Sequence, residues 1–289
     1  MRNYDAVKNW DFGEIVQTYA IRDSMLYALG VGMGADPLDR DQLRFVYEKD
    51  IQTVPTMCTI LGSPGFWWRD ERTGADWVKL VHGEQAIRLF KSLPPSGTVI
   101  ARNRVLSVTD KGAGKGAIAV IKREISDQAS GELLAEVVHG TFLRGDGGYS
   151  AGSGRSDPAP PGLVAPPDSA PKFEIEIPTL ERQALIYRLS GDYNILHADP
   201  DVARAAGFPR PILHGLCTYG MAAHAVLKAL AGYESSRIKS MAVRFTTPVF
   251  PGETIRFQFW PRDSNSFHFR ARIAAREAIV LNNGIVELS

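Results

Sequence analysis

The sequence predicts an α+β protein made by diverged tandem duplication, each unit an antiparallel sheet wrapped around one long apolar helix. Three observations carry this. Runs rich in Val, Ile and Thr recur in both halves, at 98–109, 117–125 and 133–143, then at 241–249, 254–260, 267–274 and 278–288. Leu216, Tyr219, Ala223, Val226 and Leu230 recur at helical spacing ahead of the second set. Short segments also echo across the halves. Pro95-Ser-Gly-Thr-Val99 parallels Pro251-Gly-Glu-Thr-Ile255, each preceding a β-rich run. Lys79-Leu-Val-His-Gly-Glu-Gln85 parallels Pro211-Ile-Leu-His-Gly-Leu-Cys217 as a helix entry or turn. Tyr19-Ala-Ile-Arg-Asp23 faintly parallels Tyr187…Asp192.

In chain order, the runs at 98–109 and 117–125 flank Lys111-Gly-Ala-Gly-Lys-Gly116 and so form a hairpin, and Leu133–Leu143 adds a strand. Residues 145–171 run Gly-Asp-Gly-Gly-Tyr-Ser-Ala-Gly-Ser-Gly, then Pro-Ala-Pro-Pro-Gly, with too few apolar side chains to offset the entropy of ordering. They are expected to link a first unit, 1–144, to a second, 172–289. In the second unit Asp199 caps a helix that has Pro200 at its first position and Gly207 past its end.

Composition narrows the function classes. With 289 residues, 44% of them hydrophobic, the chain can bury one large core or two moderate ones. Its 33 basic and 32 acidic residues are interspersed, for a formal charge of +1, which gives no nucleic-acid footprint. Cys58 and Cys217 are the only cysteines and show no Cys-x-x-Cys spacing, so neither a disulfide framework nor a zinc knuckle is expected, and a reducing compartment fits. The N-terminus has no apolar signal core, no window reaches the ~18 apolar residues of a membrane span, and the C-terminal Val-Glu-Leu-Ser is not a Ser-Lys-Leu address. A cytoplasmic protein without membrane attachment is expected.

The chemistry concentrates in Tyr187-Arg-Leu-Ser-Gly-Asp-Tyr-Asn-Ile-Leu-His-Ala-Asp-Pro200. An Asp after Gly is ordinarily a turn former. Asp192, Asn194 and His197 together supply more than a turn needs: an acid, an amide and an imidazole, the groups for moving protons. A metal is not expected, since His-Glu-x-x-His is absent and His214 and His224 are roughly three helical turns apart and off one face. His214-Gly215 opens the apolar helix. Its plain role is a histidine bonding a neighbouring loop. Its chemical role is that Gly215, without a side chain, admits a carbonyl oxygen to a helix-start N–H that has no internal partner, at the positive end of the dipole.

Gly191, Asp192, Asn194, Leu196 and His197, with Leu213, His214 and Gly215, resemble the signature of (R)-specific enoyl-CoA hydratases, the hydratase 2 branch of the MaoC-like family. Ile195 departs from it, standing where the family has proline, which loosens one φ angle of the loop. The resemblance implies two tandem hot-dog units and hydration of a trans-2-enoyl-CoA to the (3R)-hydroxyacyl-CoA without metal or redox cofactor. Asp192 and His197 would be the proton-transfer pair, Asn194 would orient the water or the loop, and Gly215 would supply the oxyanion donor. His214 would contact substrate. Arg244 would either hold a CoA phosphate or be an ordinary exposed strand charge. At the place matching the catalytic loop the first half has Asp23-Ser-Met-Leu-Tyr27, without an imidazole, so it is expected to be catalytically silent. Its apolar neighbourhood of Met57, Phe66, Trp67 and Trp68 would then be free for the acyl tail, and His82 would keep a structural role only. A homodimer is the expected assembly. Two alternatives stand beside hydration: a hot-dog thioesterase, and a non-catalytic acyl-CoA binding module in which Asp192 and His197 only shape a polar loop. An Asp and a His on one loop favour hydration.

Overall fold

Ten antiparallel strands form one continuous sheet in the computed structural model, which describes residues 3–289. In chain order the elements are α1 (Tyr4–Lys8), β1 (Glu14–Tyr19), α2 (Ile21–Gly30), α3 (Arg40–Val46), β2 (Leu80–Leu89), β3 (Gly97–Asp110), β4 (Ala117–Asp127), β5 (Leu133–Leu143), β6 (Phe173–Pro178), α4 (Gln183–Tyr187), α5 (Pro200–Ala205), α6 (Gly215–Val226), β7 (Ile238–Phe245), β8 (Thr254–Pro261), β9 (Ser266–Ile273) and β10 (Ala278–Leu288). Across the sheet the order is β1-β3-β4-β5-β2-β7-β10-β9-β8-β6. Outward from the centre, β2, β5, β4, β3, β1 on one side repeats as β7, β10, β9, β8, β6 on the other. The duplication is thus visible in the topology as two hot-dog units sharing one seam. There β2 and β7 pair antiparallel from Glu84↔Arg244 to Arg88↔Ser240, which covers an open strand edge in each unit.

Pro95–Val99 and Pro251–Ile255 do lead into equivalent strands, β3 and β8. The other two echoes are out of register. Lys79–Gln85 is not a helix entry, because nearly all of it lies in β2, whose buried Gln85, Ile87 and Leu89 alternate with the period of a strand. Tyr19 ends the strand β1, whereas Tyr187 ends the helix α4, whose counterpart by element order is α2 with Tyr27. The two fully buried rings, from α4 and α2, meet with centroids 5.9 Å apart. The segment that follows α2, residues 31–39, again holds no imidazole.

Only one of the two expected long helices forms. α6 continues as a π turn over Leu227–Ala231, stopped by Gly232 at φ 59°, and everything from Cys217 to Leu227 is buried. The first unit has instead a five-residue 3-10 turn, Pro55–Thr59. Pro55 starts it, and Gly62 and Pro64 bar extension. Gly62 (φ 60°) approaches β3 so closely that a Cβ would sit 2.1 Å from that of Ala101. The buried Arg123 caps the end of the turn, its Nη1 donating to the carbonyls of Thr59 (3.0 Å) and Leu61 (2.8 Å).

One hydrophobic core runs through both units and joins Met57, Ile87 and Val137 to Tyr219, Met241 and Phe257. A satellite of Val7, Trp68, Val105, Ile121 and Leu143 lies within the first unit. Trp67 stacks on Trp68 at 4.0 Å beside this satellite, Met57 belongs to the main core, and Phe66 is exposed, so the expected aromatic neighbourhood is not one surface.

Strand β7 begins earlier and ends earlier than the expected 241–249. Pro248 and Pro251 cannot donate to a ladder, and Val249 turns away to accept from Leu213 N at 2.7 Å. From Arg155 to Pro171 the Gly/Pro-rich segment has no helix or strand. It is nevertheless tied to both units: Thr109 Oγ1 donates to Pro158 O (3.0 Å), Asn283 Nδ2 to Leu163 O (2.7 Å) and Trp260 Nε1 to Ser169 O (2.7 Å). Among the described residues no helix is long and apolar enough to cross a membrane.

Candidate active site

The loop from α4 to α5 is a chain of short turns, the later ones closed by their own side chains. A 3-10 turn, Arg188–Ser190, ends at Gly191 with φ 114°. Asp192 Oδ1 then accepts from Asn194 N at 3.2 Å, and Asn194 Oδ1 from Leu196 N at 3.1 Å, which caps the next turn, Ile195–His197. Asp199 caps α5 through the N–H groups of Asp201 (2.8 Å) and Val202 (3.2 Å). Asn194 is exposed and its carbonyl oxygen is engaged in the cap, so the structure places it as an organiser of the loop. The cap also fixes the backbone where Ile195 lacks the ring constraint of proline.

His197 ends this turn, buried, with Nδ1 2.8 Å from the carbonyl of Ile212. A carbonyl only accepts, so Nδ1 carries the proton and Nε2 keeps a lone pair for use as a base. Burial pushes the imidazole below its usual 6.5, against the Ile212 carbonyl and the Asp192 carboxylate, which favour protonation.

His214, the residue before α6, is also buried, and its Nε2–H donates to the main-chain carbonyl of Asp192 at 3.1 Å. The helix entrance therefore grips the loop. Burial, then the neighbouring His197, push His214 down to about 4. Its Nδ1 is buried and has no hydrogen-bond partner among the described residues, and the Tyr187 ring lies 5.1 Å away.

Gly215 is the first residue of α6, where the N–H groups have no intrahelical acceptor. The ring of Phe245, from β7, covers it, and a Cβ on Gly215 would lie 3.3 Å from Phe245 Cε1. The His197 imidazole and the Asp192 carboxylate thus lie together with His214, the residue that precedes the helix-start donor. One ligand atom each of Asp192, His197 and His214 lies within 4.8 Å of the others, a spacing that fits acid–base work and also fits a metal ion. From the sequence these three and His224 could be weighed together only as a possible ligand set; that Asp192 and His214 meet is a product of the fold. His224 is elsewhere, packed 6.2 Å from Tyr233.

Arg244 lies at the seam, its Nε and Nη2 2.9 and 2.6 Å from Glu84 Oε1 of the first unit. The pair ties β7 to β2, and Nη1 is the part of the fork outside it. Two further rings lie 4.7 Å apart near the site: Phe245, which sequence reasoning did not single out, and His82, to which it gave a structural role. The Val81-His82-Gly83 segment does stand out in the sequence, but its resemblance to a helix entrance hides the fact that it lies on a strand.

A loop that carries a carboxylate and an imidazole, gripped by a helix start within paired hot-dog units, is a candidate site of the acyl-thioester hydratase type. Residues 17–145 match the MFE-2 hydratase 2 N-terminal domain and residues 163–280 the MaoC like domain. The chain is 42% identical over 275 residues to 3-hydroxyacyl-thioester dehydratase Y of Mycobacterium tuberculosis, covering 92% of this chain and 91% of that protein. It is 40% identical over 277 residues to the peroxisomal enoyl-CoA hydratase 2 of Arabidopsis thaliana, covering 89% and 87%. The crystal structure of a MaoC-like dehydratase from Phytophthora capsici superposes with a TM-score of 0.86 at 33% identity, covering 99% of both chains. This chain belongs to the MaoC-like family, in its two-unit hydratase 2 branch.

Proposed function

We propose that the protein catalyses the reversible hydration of a trans-2-enoyl-CoA to the (3R)-3-hydroxyacyl-CoA, with Asp192 and His197 as the acid–base pair. The observation that carries this is the His197 tautomer: Nδ1 donates to Ile212, which leaves Nε2 as the basic nitrogen of a ring that is grouped with the Asp192 carboxylate. A water held between the two gives its oxygen to C3 and a proton to the pair, and the pair returns a proton to C2 on the same face. The π electrons pass meanwhile to the thioester oxygen, where Gly215 N–H stabilises the enolate and releases the charge as C2 is protonated. Asn194 holds the loop, His214 fixes the backbone of Asp192, and Arg244 offers Nη1 to a CoA phosphate.

This chemistry needs no Lewis acid and no redox partner, and we propose that none is used. The acyl tail enters the first unit, a role supported by the short Pro55–Thr59 turn standing where the second unit has a long helix. A homodimer is supported by the half-exposed Leu185, Leu189, Tyr193 and Ile195 clustered in and beside the loop. Cys58 and Cys217, free and buried, suit the cytoplasm.

The test is ultraviolet loss of the conjugated enoyl thioester after exhaustive chelation, with free thiol followed in parallel. Loss of conjugation without thiol release is expected. Thiol release would mean hydrolysis, and binding without turnover would mean a carrier module. Activity that returns only with a divalent ion would make the Asp192–His197–His214 cluster a metal site.

A further inference from the structure

Strand β2 slips register against β5 between His82, which faces Thr141, and Glu84, which faces Gly140, leaving Gly83 as the extra residue. A bulge of this kind re-aims side chains and is favoured beside active sites. Here it accompanies an imidazole at the seam. The His82 ring lies 4.7 Å from Phe245 of β7 and 5.7 Å from His139 of β5. Its Nε2–H donates to the Glu84 carbonyl at 3.1 Å, which fixes the ring and leaves the lone pair on Nδ1. The Glu84 side chain meanwhile holds Arg244, the residue before Phe245. Phe245 in turn rests on Gly215. A packed line therefore runs from the first unit across the seam to the helix-start N–H.

Burial holds His82 down to about 4, opposed by the Glu84 carbonyl and the Asp192 carboxylate, so the ring is neutral at ordinary pH and sits within the electrostatic reach of the catalytic loop. The Phe245 ring is the nearest group to the Cβ position of Gly215, so its placement bears on the space around the helix start. Misplacing a reacting group by ~1 Å costs on the order of 10²-fold in rate, so whatever fixes that ring acts on turnover.

We infer that His82 is a positioning residue supplied by the first unit: its ring holds Phe245 against Gly215 and so sets the approach of the thioester carbonyl to the helix-start N–H. The inference rests on the hydratase assignment. It is tested in the full-length protein with His82→Ala, His82→Leu, His82→Phe, Phe245→Leu and the double variant His82→Ala/Phe245→Leu, beside wild type. Expected are a fall in kcat of roughly 10-fold or more for His82→Ala with KM changed by less than about threefold, and recovery to within about threefold of wild-type kcat in His82→Phe, which keeps a ring. The double variant should be no worse than the worse single one, since both break the same line of contacts. If His82→Ala does not fold, His82→Leu is read in its place. Wild-type kcat in the Ala or Leu variant, a loss confined to KM, failure of His82→Phe to recover, or multiplicative losses in the double variant each overturn the inference. Wild-type protein that does not hydrate an enoyl thioester defeats the hydratase assignment and this inference with it.

Discussion

His197 and His214 stack with ring centroids 3.7 Å apart and planes 30° from parallel. Each donates from one nitrogen to a main-chain carbonyl, His197 to Ile212 and His214 to Asp192. Protonating both would place two positive charges in contact in a desolvated site, so the stack favours the neutral pair. That keeps His197 basic in form at pH values where a free imidazole has taken a proton.

The first prediction follows directly. The acid limb of kcat/KM should fall below the ordinary imidazole value of 6.5, because burial depresses His197. A pH–rate profile whose acid limb lies at or above that value would contradict it. Stability follows the same sign: His82, His214 and His224 titrate near 4 in the fold and near 6.5 when unfolded. Between those values the unfolded chain binds protons that the folded chain refuses, so Tm should drop as pH falls through the window and be insensitive to these groups above it. Melting curves across the window at constant ionic strength check this.

Asp192→Asn and His197→Gln should each lower kcat by about 10²-fold or more, as expected of the proposed acid–base pair. Neither anchors the main core, so circular dichroism and Tm should stay close to wild type. A folded variant with near wild-type kcat would remove that residue from the mechanism.

Gly215→Ala keeps the N–H but places a methyl group 3.3 Å from Phe245 Cε1, so the ring or the helix start must shift where the carbonyl oxygen is proposed to bind. The expected loss in kcat is on the order of 10²-fold, the scale of one oxyanion donor, with little change in Tm because Ala suits a helix better than Gly. Unchanged turnover would mean that the carbonyl approaches elsewhere.

What the sequence discloses here is what is local. Asp192, Asn194 and His197 lie within one turn-forming stretch, and Asp199-Pro200 and His214-Gly215 mark helix starts by residue type alone, so the loop and its flanking helices can be read without the fold. Contacts across the seam cannot. The pairing of Glu84 with Arg244, and of His82 with Phe245, depends on the register between β2 and β7, which nothing in either segment specifies. His-Gly before an apolar run looks alike whether a helix or a bulged strand follows, and only the alternation of Gln85, Ile87 and Leu89 separates them. The missing first-unit helix does leave a local mark, since Pro55, Gly62 and Pro64 together forbid a long one.

Gly220 lies where α6 passes closest to the end of α2. A Cβ there would be 2.4 Å from Val31 Cγ1 and 3.0 Å from the Tyr27 hydroxyl. Gly220→Ala should therefore destabilise the protein by about 1–3 kcal/mol despite the gain in helix propensity, as expected for overpacking between fixed elements. Chemical denaturation gives the value, and a stabilised variant would show that α2 can retreat freely.

The seam also predicts how far the second unit can stand alone. Cutting the chain to 172–289 would strip β2 from β7 and leave the backbone of Ser240–Arg244 as an unpaired edge beside the core residues Met241 and Val243. The same cut removes Tyr27 from Tyr187, takes the Gly30 carbonyl from Cys217 Sγ (3.2 Å) and opens the packing around α6. The fragment keeps Asp192, His197 and Gly215, so any activity it lacks reflects support and not chemistry. Expected on expression is insoluble protein, or a self-associating species in which the β7 edges pair, with hydration of both short and long enoyl-CoA strongly reduced. Size-exclusion chromatography with the conjugation assay decides the matter. A soluble monomer with full activity on both substrates would show that the first unit neither supports the site nor receives the acyl tail.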